Sequence, residues 1–200
     1  MNISDKALAT RERILESADN LFYLHGYNAT GLDKIIKAAE VTKGNFYYHF
    51  ESKESLAIAS LERHFDLLTK ELEQKVLNRK KSPLKTLFGI LDLMSGRQKK
   101  QKQDGYMRGC YFGNLTLELS TDSQAVRNKV KDIFKQYLDL FESLLKEAKN
   151  TGEVADDIDP KTFSAVILSQ MEGAMLLDKA NQKPLAMNTC VRFIKRYLSP

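Results

Sequence analysis

Residues 30–53, TGLDKIIKAAEVTKGNFYYHFESK, constrain the chain more than any other stretch, because two very short helical patterns follow each other across a sharp turn. Leu32, Ile35, Ile36 and Ala39 recur at i, i+3, i+4 and i+7, one buried face of a helix of little more than two turns. From Thr42, an N-cap for the following turn, Phe46 and Phe50 repeat at i, i+4 and pin a second short helix to the first. On a helical wheel Gly44 and Tyr48 lie opposite Phe46, flanked by Asn45 and Tyr47, with Lys43 and His49 nearer the sides. Hydrophobic groups face inward and hydrogen-bonding groups outward, so the unit is built to touch something.

Residues 1–9 read as a frayed lead-in to a helix whose face holds Ile14, Ala18, Leu21, Phe22 and His25, with Gly26 as its stop. Thr30 and Asp33 have the spacing of a capping box for the next helix. Three helices, the third presenting its N-terminal residues, are what helix-turn-helix readers place in the major groove. The run Thr30, Ile35, Ala38, Ala39, Val41, Thr42, Lys43, Gly44, Tyr47, His49, Phe50, Lys53 and Leu56 closely resembles the signature of the TetR family of bacterial transcriptional regulators, over roughly residues 10–57. Glu40 departs from it, since the family usually has Gly in this turn.

The resemblance implies an all-α fold with a three-helix DNA-binding domain over 1–52 and a helical regulatory and dimerisation domain over 53–200. It implies a sequence-specific regulator, a repressor in the first instance, that binds a palindromic double-stranded operator as a homodimer through its last two helices. Release by a small-molecule or electrophile effector, or by modification of Cys110, completes that expectation. The residues agree. Lys43, Asn45 and Tyr48 suit base edges, because Lys and Asn carry the groups that read guanine and adenine. Gly44 costs about 1 kcal/mol against Ala inside a helix, which makes sense where backbone must approach another surface. Thr30, Thr42, Tyr47, His49 and Lys53 suit phosphates, although Tyr47 and His49 also read as partly packed structural residues.

Charge contributes little to this reading. The net charge is +5, yet residues 1–67 hold eight Lys/Arg against ten Asp/Glu, and the basic excess lies within 70–102. Cys110 and Cys190 stand far apart, which indicates neither a disulfide framework nor a zinc ribbon. Without a signal-peptide pattern or an apolar run of ~18 residues, the expected place is the cytoplasm, with no membrane partner.

Further along, Ser52 reads as an N-cap with Ser55 in the place of the usual acid, opening a long helix through Leu56, Leu61, Phe65, Leu68, Leu72 and Val76. Pro83 opens the next, and residues 95–105, SGRQKKQKQDG, lose all apolar residues and read as an exposed basic loop. Tyr106–Ser120 holds GC followed by GNL and resembles a segment found in one subset of TetR-type regulators. Asp122 or Ser123 begins a long helix ending near Gly152, and Pro160 and Pro184 open two final helices whose broad apolar faces need a partner.

The three histidines lack metal-ligand spacing, and no nucleophile elbow, phosphate-binding loop or dinucleotide fingerprint is present, so neither an enzyme nor a cofactor or metal is expected. Met94, Phe112, Phe134, Tyr137, Met171 and Met175 are candidate lining for an apolar ligand site, and each also reads as ordinary core. Cys110 is either a small buried hydrophobe or a thiol made reactive by Arg108 and the basic stretch before it. A reading from another class stays open: a helical small-molecule-binding protein whose N-terminal unit does not bind DNA sequence-specifically.

Overall fold

The computed structural model describes residues 3–199, and Met1 and Asn2 of the expected lead-in lie outside them. The rest of that lead-in is helical: α1 runs Ile3–His25 and ends where Gly26 takes φ +87°. Then follow α2 (Leu32–Ala38), α3 (Lys43–His49), α4 (Lys53–Leu72), a π-helical turn (Glu73–Leu77), α5 (Pro83–Gln103), α6 (Tyr111–Leu119), α7 (Gln124–Asn150), α8 (Pro160–Asn181) and α9 (Ala186–Leu198). The described residues are all-helical, and none of their helices is long and apolar enough to cross a membrane.

Most boundaries sit where local chemistry puts them. Ser52 and Ser55 each accept the other's backbone N–H, at 3.0 and 3.1 Å, a serine version of the capping box. Ser123 Oγ accepts from Val126 N at 3.1 Å, and Asp159 accepts from Thr162 N at 2.8 Å, so α7 and α8 begin on side-chain caps. The last helix starts at Ala186, two residues after Pro184, because the buried carboxylate of Asp178 accepts from Ala186 N and Met187 N.

The expected loop at 95–105 is instead the second half of α5, which continues to Gln103. Gln, Lys and Arg are strong helix formers and outweigh the missing apolar period. Ser95 and Gln98 are buried there, so polar residues hold the inward face. On α1, His25 is exposed and Leu15 takes its expected place in the core.

The chain divides into two compact units. The first comprises the described residues up to Leu67 with Tyr111–Lys131, and its buried residues include Ile14, Phe22, Ile35, Phe46, Leu56 and Leu115. The second comprises Leu68–Cys110 and the described residues from Asp132 onward, with a core that includes Leu87, Leu91, Phe141, Leu145, Ile167 and Ile194.

Candidate nucleic-acid interface and regulatory core

The turn between α2 and α3 is a Schellman closure: Val41 N donates to Ile36 O and Glu40 N to Lys37 O, both at 3.2 Å. This geometry places Glu40 at φ +52°, the left-handed region that favours glycine, at a cost of roughly 1–2 kcal/mol. Thr42 then caps α3 by accepting from Asn45 N at 3.1 Å. Phe46 is fully buried and Phe50 nearly so, their ring centroids 5.9 Å apart, which turns the opposite face of α3 outward. Lys43, Gly44 and Asn45 are exposed and Tyr48 is 78% exposed. A Cβ built on Gly44 would meet only Thr42 Oγ1, at 3.9 Å, so nothing among the described residues requires a glycine there.

The flanking candidates differ in how much they can present. Tyr47 is half exposed, its ring edge-on to Phe46 at 5.3 Å. His49 is half-buried against Tyr48, and its pKa lies below the ordinary value because of burial and then Arg11. Arg11 itself, 5.1 Å from the Phe50 ring centroid, is a cation beside α3 that no local sequence pattern announces.

Thr30 is fully buried, its hydroxyl donating to Gly26 O at 2.7 Å. The capping box expected from it is absent, because Gly31 occupies the N-cap of α2 without a side-chain bond. The half-buried Lys53 likewise turns inward: Nζ donates to Tyr27 O at 2.6 Å and stands 3.9 Å from the Tyr27 ring centroid. Burial lowers the pKa of Lys53, and Glu118 opposes that effect.

Glu118, unremarked in the sequence, holds the turn that follows α1. Its two carboxylate oxygens accept from Tyr27 N at 3.0 Å and Asn28 N at 2.8 Å, across about ninety residues of chain. A second polar cluster joins α1, α4 and α6. Ser60 donates to Asp19 at 2.9 Å and lies 2.6 Å from the Tyr111 hydroxyl, while Arg63 and His64 reach the other Asp19 oxygen at 3.2 and 3.5 Å. Burial works against ionising Asp19, but the bonds and charge from His64, with Ser60 and Tyr111, leave its pKa below the ordinary value.

In the second unit, Met171 and Met175 are core residues, with Met94, Cys110 and Tyr137 packed against the same core. Phe134 is partly buried on α7. Phe112 belongs to the first unit, where its ring meets His64 at 5.5 Å and Phe65 at 6.4 Å. No group of three or more His, Cys, Asp or Glu among the described residues is placed to hold a metal.

The segment before Cys110 is held by two glutamines. Gln101 Oε1 accepts from Arg108 N at 2.6 Å and Gly109 N at 3.2 Å, while Gln182 accepts from Met107 N and donates to Met107 O. Gly109 has φ +74°, and a Cβ there would stand 3.2 Å from Lys179 Cδ and 3.5 Å from Met175 O, so α8 passes close to this backbone. Cys110 is partly exposed, whereas Cys190 is buried and its thiol pKa pushed up to about 11.

On α8 and α9 and at the turn between them, Leu176, Leu177, Leu185, Phe193 and Tyr197 are each more than half exposed. A groove of about 950 Å³ runs between the two helices, lined by Gly173, Leu177, Leu185 and Phe193 among others.

Two family models match the chain: bacterial regulatory proteins of the tetR family over residues 14–60, and the tetracyclin repressor-like C-terminal domain over residues 88–194. The transcriptional repressor DhaR of Mycobacterium sp. (strain GP1) is 29% identical over 181 residues, covering 88% of this chain and 86% of its own length. A transcriptional regulator encoded in the lacX 3′ region of Lactococcus lactis is 30% identical over 175 residues, covering 86% and 85%. Among solved structures, the regulatory protein TetR of Rhodobacter sphaeroides superposes with a TM-score of 0.84 at 25% identity, covering 94% of this chain and 97% of that one.

Proposed function

Because the chain belongs to the TetR family of bacterial regulatory proteins and is a DNA-binding transcriptional regulator, we propose that it is a cytoplasmic, homodimeric repressor of a palindromic operator. The observation that carries the reading is the outward face of α3, where Lys43, Asn45 and Tyr48 surround a glycine that the chain's own packing does not need. Lys43 and Asn45 read base edges with Tyr48 beside them, the Gly44 backbone comes close to the duplex, and Thr42, Tyr47 and His49 bind phosphates. Thr30 and Lys53 act at one remove, by fixing the turn that precedes α2. Residues 1–52 are thus the reader, and 53–200 the regulatory and dimerisation part.

One α3 of two turns reads few bases, so two copies related by a dyad are needed. The apolar side chains on α8 and α9 are the surface that brings them together. The name of the relative DhaR, a repressor, supports the sense of the output. An effector acting at Cys110 or in the core around it releases the operator, provided that it binds the non-reading state more tightly. Neither a catalytic role nor a cofactor enters this reading. Selection from a random duplex pool at fixed salt tests it: recovery of a palindrome is expected, and recovery of no preferred sequence would overturn it. In parallel, Phe193→Asp is expected to yield monomers in sedimentation and to lose the palindrome.

A further inference from the structure

Cys110 does not stand alone. Its thiol is hydrogen-bonded to Glu172, a half-buried carboxyl on α8. The placement follows from the helix: Glu172, Met175 and Lys179 fall at i, i+3 and i+7 on one stripe, and Met175 and Lys179 are the two residues that crowd Gly109. The stripe continues one turn N-terminally to Glu172, which meets the next residue, Cys110. The loop cannot drift from this alignment cheaply, since Gln101 and Gln182 bind its backbone from both sides. Charged or titratable groups near this pair include the Tyr137 hydroxyl on α7, which interacts with both Cys110 and Arg97 of α5, Lys179 on α8 beside Gly109, and Arg108 on the thiol's own segment.

We propose that the Glu172 carboxylate is the base that takes the Cys110 thiol proton as the sulfur adds to a small, uncharged, electron-poor alkene such as an α,β-unsaturated carbonyl compound. The inference rests on the reading of Cys110 as an effector-responsive residue. In the step, a bond forms between Sγ and the β-carbon of the alkene, and the π pair moves toward the carbonyl. The thiol proton passes to Glu172 and from there to the α-carbon. The sum is addition of S–H across C=C, with no oxidant or reductant consumed. An uncharged reagent fits because Cys110 packs against an apolar core and the carboxylate beside it repels anions. Burial raises the pKa of Glu172, and the bond from Cys110 opposes this, which leaves a carboxylate more basic than a surface one. Such a positioned base contributes on the order of 100-fold to a proton-transfer step.

The test exposes the full-length protein to methyl vinyl ketone at pH 7 and follows each cysteine by intact mass and peptide mapping, with buried Cys190 as the internal control. Cys110 of the unaltered protein is expected to form the adduct and Cys190 to remain free. Glu172→Gln should slow the Cys110 reaction on the order of 100-fold at pH 7, with a rate climbing about tenfold per pH unit below ~8.5, as for an ordinary thiol. Glu172→Asp, whose carboxylate sits one methylene further back, should fall between the two. Both variants should bind the operator as the unaltered protein does before treatment. If Cys110 of the unaltered protein does not react, its sensing role falls and this base falls with it. If it reacts and both variants react as fast or faster, the assignment of Glu172 alone is overturned.

Discussion

Replacing Gly44 with alanine separates what the fold needs from what the operator needs. Inside the protein the added methyl has open space, its nearest neighbour being Thr42 Oγ1 at 3.9 Å, an ordinary contact. Alanine is favoured over glycine by up to about 1 kcal/mol in a helix interior, and by less here, in the first turn of α3. Unfolding temperature should therefore hold steady or rise, by no more than about 2–4 °C for a chain of this size. In the proposed operator complex the same methyl would project from the reading face and keep the α3 backbone from its closest approach. A loss of about 1.4 kcal/mol there is tenfold in Kd. Fluorescence anisotropy on the selected operator and on a scrambled duplex, at one fixed salt concentration, measures this. At least about a tenfold loss on the operator is expected, without loss of thermal stability. Unchanged operator affinity would refute the close-approach reading of Gly44. A lowered unfolding temperature would refute the claim that no internal packing depends on it.

Other substitutions probe the residues around that face. Lys43→Ala should cost about 1–3 kcal/mol of operator binding and relax discrimination at one base pair, whereas Lys53→Ala should lower the unfolding temperature and leave the salt dependence of binding unchanged. A salt slope reduced by about 1 in Lys53→Ala would instead identify a phosphate contact. Glu118→Ala deprives the Tyr27 and Asn28 amides of their acceptor, at about 1–3 kcal/mol for an unsatisfied group; calorimetry should record a fall of several degrees. Asp19 has a folded-state pKa below the ordinary 3.8, so its contribution to stability is present above that pH and lost as pH falls through the lower folded value. Acid titration of stability should accordingly flatten below pH ~4 in Asp19→Asn.

Signals that act within one helical turn could be read from the residues alone. Phe46 with Phe50, the Thr42 cap, the Ser52–Ser55 box and the stop at Gly26 depend on neighbours no more than four positions away, and each is found where the spacing puts it. The same local pattern laid out the candidate reading face of α3. Residues 95–103 resemble a loop in sequence because a helix lined by Gln98 and Gln101 has no apolar period to show, although Gln, Lys and Arg favour helix. Thr30 and Lys53 were legible as polar residues at helix starts, yet whether such groups face solvent or a carbonyl inside depends on what packs beside them.

By itself, then, the sequence determined most of the helices, the caps at Thr42 and Ser52 and the side of α3 that turns outward, since propensity and periodicity act over a few residues. Only the tertiary structure decided that Glu118 would close the turn at Tyr27, that Arg11 would stand beside α3, and that Glu172 would meet Cys110. Those pairs are separated by some forty to ninety residues, and no short-range pattern encodes which side chains a packed core will bring together.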